Sequence, residues 1–245
     1  MATYAFSDAH GCWEPFKQLF NFIKPEDKVI CLGDCGDRGK DGWKIIETVL
    51  NDNRFIYLMG NHEDMLINTI KDYFYIQRTC FGSDEDEIFF NLRMCESYDI
   101  LKYNGGEKTF KDWKKAKHRE LKYRQLKELK YRFDYVNKQG QKIILTHAGF
   151  TPYLNNIPDN EDLIWSRSHF NQKWDKNFPD TIIVHGHTPI TYMSEYTFEE
   201  NNLKEISESY WYCNKHKVNI DYCTIETGKL ILLNLDTWKE YIFEK

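Results

Sequence analysis

Three times in its first quarter the chain runs a short β-prone stretch into a polar cluster and then into apolar residues at helical spacing. Residues 3–6 lead to Asp8, and Phe16, Leu19, Phe20 and Ile23 follow at helix intervals within 13–23. Residues 28–32 read as a buried strand running to Asp34, and 42–50 place Ile45, Ile46, Val49 and Leu50 on one side of a helix. Residues 55–59 run into Gly60-Asn61-His62-Glu63, after which helix resumes. Strand–loop–helix units in series predict a largely parallel start to a sheet. All three polar clusters fall where a strand ends, the edge at which open α/β sheets bind ligands.

The middle of the chain differs. Residues 68–135 read as helical and charged, with Asn104-Gly105-Gly106 as the main break and Leu121, Leu126, Leu129 and Phe133 as an apolar stripe. We expect an insertion that packs on the sheet within a single domain, 1–245, rather than a separate unit. Strands then return. Residues 142–146 end at His147-Ala148-Gly149, and 181–184 end at His185-Gly186-His187-Thr188-Pro189. In the tail, 219–243, Thr227-Gly228 lies between two β-prone runs and predicts a hairpin turn there. No internal repeat is visible.

Composition narrows the function classes. A chain of 245 residues with 16% aromatics can bury a real core. Mean hydropathy is -0.67, and no apolar run approaches the roughly 20 residues of a membrane helix. There is no basic segment followed by an apolar one at the start, so no secretory signal is expected. The net charge of -5 argues against a nucleic-acid binder that works by broad phosphate neutralisation. Two local departures, basic 108–132 and acidic 82–87, read as solvated faces. Seven cysteines with no Cys-x-x-Cys pair fit free thiols in a reducing cytoplasm.

Five predicted strand ends therefore carry Asp, Asn or His toward one rim: Asp8 and His10, then Asp34 with Asp37 and Arg38, then Asn61 with His62, then His147, then His187. Taken singly, each has an ordinary use. Asp34 and Asp37 could cap the next helix, His62 could be a first-turn histidine, and Arg38 a surface ion-pair partner. Taken together and in order, they point to metal. Oxygen donors mixed with imidazole suit Mn, Fe or Zn better than Ca or Mg alone. The ligands outnumber the needs of one ion. Two ions about 3.5–4 Å apart fit better, bridged by a carboxylate and a water whose lowered pKa makes it a nucleophile.

The series Asp8-Ala9-His10-Gly11, Gly33-Asp34-Cys35-Gly36-Asp37-Arg38-Gly39, Gly60-Asn61-His62-Glu63, His147-Ala148-Gly149 and Gly186-His187-Thr188-Pro189 resembles the phosphoprotein phosphatase family of calcineurin-like metallophosphoesterases. Asn104-Gly105-Gly106-Glu107-Lys108-Thr109 and Ile220-Asp221 resemble its bacterial and phage-type members. The resemblance implies an α/β fold of four layers, a two-sheet β-sandwich flanked by helices. It implies a hydrolase with two divalent metal ions, manganese first and iron or zinc as alternatives. Asp8 and His10 would hold one ion, Asp34 would bridge, and Asn61, His147 and His187 would hold the other. His62 would be the general acid, oriented by Asp37. Arg38, Asn61 and Arg167 would bind the substrate phosphate. Arg167, in Trp165-Ser166-Arg167, rests on the shortest match, and a surface arginine is its alternative. His185 is extra to the pattern. Cys35-Gly36 and Ala9 depart from the eukaryotic members at positions expected to touch no ligand.

The implied activity is hydrolysis of phosphoserine or phosphothreonine, with phosphotyrosine or small phosphoesters as further substrates, in the cytoplasm. No regulatory subunit, nucleic acid or membrane partner is expected. The alternative is a symmetrical dinucleoside-tetraphosphate hydrolase, with Tyr103, Trp113, Lys114, Lys115 and Arg119 of the insertion available to meet adenosines and phosphates. A non-catalytic binding module is the remote third reading.

Overall fold

A computed structural model describes residues 1–80, 84–153, 158–195 and 209–245. The acidic stretch at 82–87 begins partly outside these residues. The first half builds β1 (Thr3–Phe6), α1 (Trp13–Phe22), β2 (Lys28–Cys31), α2 (Gly42–Asn51), β3 (Phe55–Tyr57) and the long α3 (Asn61–Thr79). Four short helices follow: α4 (Glu85–Leu92), α5 (Glu96–Tyr103), α6 (Glu107–Lys115) and α7 (Arg119–Lys127). The second half supplies β4 (Arg132–Val136), β5 (Lys142–Thr146), α8 (Asn160–Trp165), β6 (Thr181–His185), β7 (Tyr210–Tyr212), β8 (Lys217–Asn219), α9 (Thr224–Thr227), β9 (Lys229–Asn234) and β10 (Glu240–Glu244).

These strands form two five-stranded sheets, ordered β10-β9-β1-β2-β3 and β4-β5-β6-β8-β7. β1, β2 and β3 run parallel, as do β5, β6 and β8, while β9, β10, β4 and β7 pair antiparallel with their neighbours. The two-period of a strand decides which face goes where. Ala5, Ile30, Ile143, Leu145, Val184, Ile231 and Leu233 pack between the sheets. Their neighbours Phe6, Val29, Cys31, Leu230 and Leu232 turn outward to α1, α2 and α3. Each sheet is thus buried on both faces, which accounts for the near-continuous apolar runs of β2, β5 and β6. The predicted two-sheet sandwich flanked by helices is the observed architecture.

The insertion shares the outer core. Tyr73, Tyr98, Leu101, Phe110, Trp113 and Leu126 are buried in one cluster with Phe16, Ile45 and Trp43. Trp113 meets Tyr73 edge-on at 5.8 Å between ring centroids and Phe110 at 5.5 Å. Three sequence expectations need correction here. The segment 68–135 is not wholly helical, because Arg132–Val136 pairs with Lys142–Thr146 as an edge strand. Leu121 is 55% exposed and does not join the stripe; the buried face of α7 is carried by Leu126 and by Lys122, whose ammonium reaches Asn51 Oδ1. Thr227-Gly228 is not the hairpin turn. Gly228, at φ 70°, ends α9, and the hairpin lies further on between β9 and β10. A left-handed glycine serves a helix end as readily as a two-residue turn.

Candidate metal centre

The parallel strands place the polar clusters on one rim. The loops after β1 and β2 continue the ladder side by side: Asp8 N donates to Gly33 O (3.2 Å), His10 N to Asp34 O (3.0 Å) and Gly11 N to Cys35 O (2.9 Å). The loops after β5 and β6 are tied likewise by Gly186 N to His147 O at 2.8 Å. Asp8, His10, Asp34, Asp37, Arg38 and His187 all have left-handed backbones, with φ between 40° and 68°. Non-glycine residues avoid this region, and it persists only where the surroundings over-determine it. Here it aims the side chains off the strand ends into one buried space.

Asp34 stands at its centre. Its Oδ1 accepts from His62 N (3.0 Å). Its Oδ2 lies 3.4 Å from His147 Nε2, 3.7 Å from His10 Nε2 and 3.8 Å from His62 Nε2. Two donor groups consequently share it: His10, Asp34 and His62 on one side, Asp34, His147 and His187 on the other. On the second side Asn61 Oδ1 lies 2.9 Å from both His147 Nε2 and His187 Nδ1, which are 3.2 Å apart. Asp8 flanks the first side. Its Oδ2 accepts from Ser7 Oγ and from His187 N, while Oδ1, 3.9 Å from His10 Nε2, has no hydrogen-bond partner.

These donors fit divalent cations. His10 Nδ1–H donates to Gly36 O and His147 Nδ1–H to Leu32 O, both at 3.0 Å, so each turns Nε2 toward the centre, where its lone pair would meet a cation in place of a proton. Gly36, expected to touch no ligand, contacts His10 through its carbonyl. An orphaned carboxylate oxygen buried beside a second carboxylate needs positive charge. Burial would push Asp34 up, yet His147 and His62 hold its carboxyl well below the usual range. Burial alone would depress His147, yet Asp34 and its hydrogen bond carry it up to about 9.

His62 and Asp37 form a distinct pair. His62 Nδ1–H donates to Asp37 Oδ2 at 2.8 Å, and both side chains are buried. Burial works against protonation of His62, but Asp34 and Asp37 outweigh it and raise its pKa. Arg38 extends Nη1 to 3.1 Å from His10 Nε2 and Nη2 to 3.2 Å from His62 Nε2. Arg167 sits at the exposed rim, with Nε donating to Thr188 Oγ1 beside His187. The structure therefore brings together all the residues singled out by motif, with Arg167 outermost.

His185 faces away from the centre. Its Nδ1–H donates to Gly186 O, and its Nε2 accepts from Tyr212 OH at 2.8 Å. Behind it, Lys217 Nζ donates to His169 O and to Thr151 Oγ1, and His169 Nε2–H holds Ala148 O. Burial pushes His185 down to about 3 and His169 well below its usual value, so both fold as neutral imidazoles. In the unfolded chain they titrate near 6.5. Their contribution to stability is complete above that value and is lost as pH falls from about 6.5 toward 3, by up to about 1.4 kcal/mol per unit for each. Urea titrations at pH 6.5 and 4.5 check this. The loss should be smaller in His185→Gln than in the native chain, and equal losses would contradict it.

Sequence reasoning gave Glu63 no role, although it lies inside a quoted motif. It is the hub beneath Asp34. Its carboxylate accepts from Asp34 N (2.7 Å), Cys35 N (3.0 Å), Gly60 N (3.2 Å) and Tyr57 OH (2.7 Å). Burial and the nearby Asp34 push it up to about 7. Gly60 permits this crowding, since a Cβ there would lie 2.2 Å from Asp34 Oδ1.

The calcineurin-like phosphoesterase family model matches residues 1–223. The chain belongs to that family. Among family relatives, a symmetrical bis(5'-nucleosyl)-tetraphosphatase of Nitrosospira multiformis is 35% identical over 68 residues, 26% of this chain and 24% of the relative. An asymmetrical bis(5'-nucleosyl)-tetraphosphatase, PrpE, of Anoxybacillus flavithermus is 23% identical over 213 residues, 75% of this chain and 77% of the relative. Thus the first of these matches spans only about a quarter of the curated relative's length. Two solved structures share the calcineurin-like fold. A provisionally named diadenosine tetraphosphatase matches 99% of this chain and 92% of its own at TM-score 0.59 and 13% identity. A protein serine/threonine phosphatase from Saccharomyces cerevisiae matches 100% and 80% at TM-score 0.52 and 12% identity. Among the described residues, no helix is long and apolar enough to cross a membrane.

Proposed function

We propose that this family member is a metal-dependent phosphomonoesterase acting on phosphoserine and phosphothreonine, in polypeptides or small esters. In this reading Asp8, His10 and Asp34 hold one divalent ion, and Asp34, Asn61, His147 and His187 hold the other. The mixed oxygen and imidazole donors favour manganese, with iron or zinc as alternatives. Bound there, the two ions supply Lewis acidity, in a water acidified enough to attack phosphorus and in positive charge for the phosphoryl oxygens.

The observation that carries the reading is the buried His62–Asp37 pair beside Arg38. An alkoxide is a poor leaving group and needs a proton as the P–O bond breaks. His62 supplies it from Nε2–H, while Nδ1–H stays on Asp37, which fixes the tautomer and sustains the protonated form. Arg38 lies within reach of both His10 and His62 and clamps phosphate oxygens between them. Asn61 and the rim residue Arg167 complete the phosphate contacts. Such an acid is worth most on an ester, because the nucleotide expelled from an anhydride leaves readily as an anion.

The second reading is hydrolysis of a symmetrical dinucleoside tetraphosphate, favoured by the names of the curated relatives. The experiment that separates the two compares kcat/KM on a phosphoserine peptide and on diadenosine tetraphosphate, with manganese restored to chelator-treated protein. The ester reading expects the peptide to lead by more than about a hundredfold, roughly 2.7 kcal/mol of differential transition-state binding. A lead of that size for the dinucleotide would replace it with the second reading.

A further inference from the structure

The corner between α5 and α6 touches the turn that carries Asp37 and Arg38. Gly105 O accepts from Arg38 N at 3.0 Å, and Thr109 Oγ1 accepts from Asp37 N at 3.0 Å. Asp37 and Arg38 are consecutive left-handed residues, at φ 66° and 58°. Such strained residues persist where the surrounding structure over-determines them, and here both amides are held from outside the turn. The insertion supplies both acceptors, from 67 and 72 residues away in sequence. The contact is close-packed. A Cβ on Gly106 would lie 2.7 Å from Asp37 Oδ2 and 2.2 Å from Leu101 Cδ1. A Cβ on Gly42 would lie 2.7 Å from Thr109 Oγ1, so the first residue of α2 leaves room for the hydroxyl. Thr109 is 1% exposed, and water does not substitute for it easily.

The geometry points to Thr109 as a positioning residue for the general acid. Through the Asp37 amide it fixes the carboxylate that orients His62, while Gly105 fixes Arg38 from the same corner. Thr109 is not placed against phosphate or metal donors, so it acts through Asp37 alone. The inference rests on the reading of His62 as the acid. A loose Asp37 lets the imidazole tilt, which slows proton delivery to an alkoxide. It scarcely affects a leaving group that departs without a proton. The insertion is then part of the catalytic apparatus and not only a substrate-facing addition.

The test compares kcat on a phosphoserine peptide and on p-nitrophenyl phosphate, using the manganese-loaded full chain with its metal content measured. Thr109→Val removes the acceptor at nearly constant shape, and Thr109→Ser keeps it. The alkyl-to-aryl ratio of kcat should fall about tenfold in Thr109→Val, return to within about twofold of native in Thr109→Ser, and do so at unchanged metal content. Thr109→Ala, which adds no methyl beside Gly42, should behave as Thr109→Val does and is read alone if the valine variant fails to fold. His62→Asn runs alongside. A native ratio in His62→Asn would refute the general-acid reading itself. A lowered ratio there, with a native ratio in Thr109→Val and Thr109→Ala, would overturn the role of Thr109. So would parallel loss on both substrates, or failure of serine to restore the ratio.

Discussion

Asp34→Asn should leave the fold intact and reduce metal binding from two ions to one or none, with activity down by at least about a thousandfold. The structural reason lies in the two oxygens of Asp34. Oδ1 accepts the His62 amide, a bond that an asparagine carbonyl can keep. Oδ2 is the atom common to both donor groups, 3.4 Å from His147 Nε2 and 3.7 Å from His10 Nε2. Asparagine puts a neutral group there and takes a charge from a centre built around carboxylates. Loss of a hydrogen-bonded partner behind a ligand already weakens metal affinity about 10–100-fold, and loss of a shared ligand should cost more. Several kcal/mol of charge stabilisation disappear with the ions, which sets the size of the rate effect. Metal analysis at fixed free manganese, with thermal unfolding as a control, checks this. Two equivalents retained by Asp34→Asn would refute the shared position.

The second large effect belongs to His62→Asn, and it has the opposite metal signature. The first donor group includes His62 Nε2 by distance alone, so the geometry admits His62 as a ligand. The Asp37 carboxylate on Nδ1 and the Arg38 guanidinium beside Nε2 favour the acid instead. As an acid, His62 contributes about 10²–10⁴-fold to kcat on an alkyl phosphate and nothing to metal binding. The variant should therefore keep two ions and lose that factor on a phosphoserine peptide, with a smaller loss on p-nitrophenyl phosphate. An ion lost with the imidazole would make His62 a ligand. A native rate on the peptide would deny it any part in the chemistry.

The positions of the candidate ligands are legible in sequence because strand periodicity is a local signal. Residues 3–6, 28–32, 55–59, 142–146 and 181–184 each show a run that stops at a polar cluster, and each cluster sends a side chain to the centre, the last through His187 and not His185. Three properties were not legible, and each depends on distant partners. The division of strands between two sheets follows pairings such as Ala5 with Leu233 and Val184 with Val218, which no window of sequence contains. The left-handed backbones of Asp8, His10, Asp34 and His187 arise from loops tied to neighbouring loops; Asp and His enter this region more readily than most residues, but their identity alone does not say where. Glu63 and Thr109 act on backbone amides 28 to 72 residues away, where residue identity alone reveals nothing. The hairpin was misplaced for a related reason. Thr227-Gly228 looks the same in sequence whether glycine ends a helix or turns a strand, and only the packing of α9 against β9 decides.

The measurement closest to the central claim is metal stoichiometry taken together with activity. Chelator-treated protein is titrated with manganese, and bound metal and the rate on a phosphoserine peptide are followed in the same samples. Two equivalents per chain should bind, activity should be negligible without metal, and it should reach its plateau only as the second equivalent fills. Full activity in the metal-free protein, or a plateau reached with a single equivalent, would contradict a centre built by Asp8, His10, Asp34, Asn61, His147 and His187 for two ions.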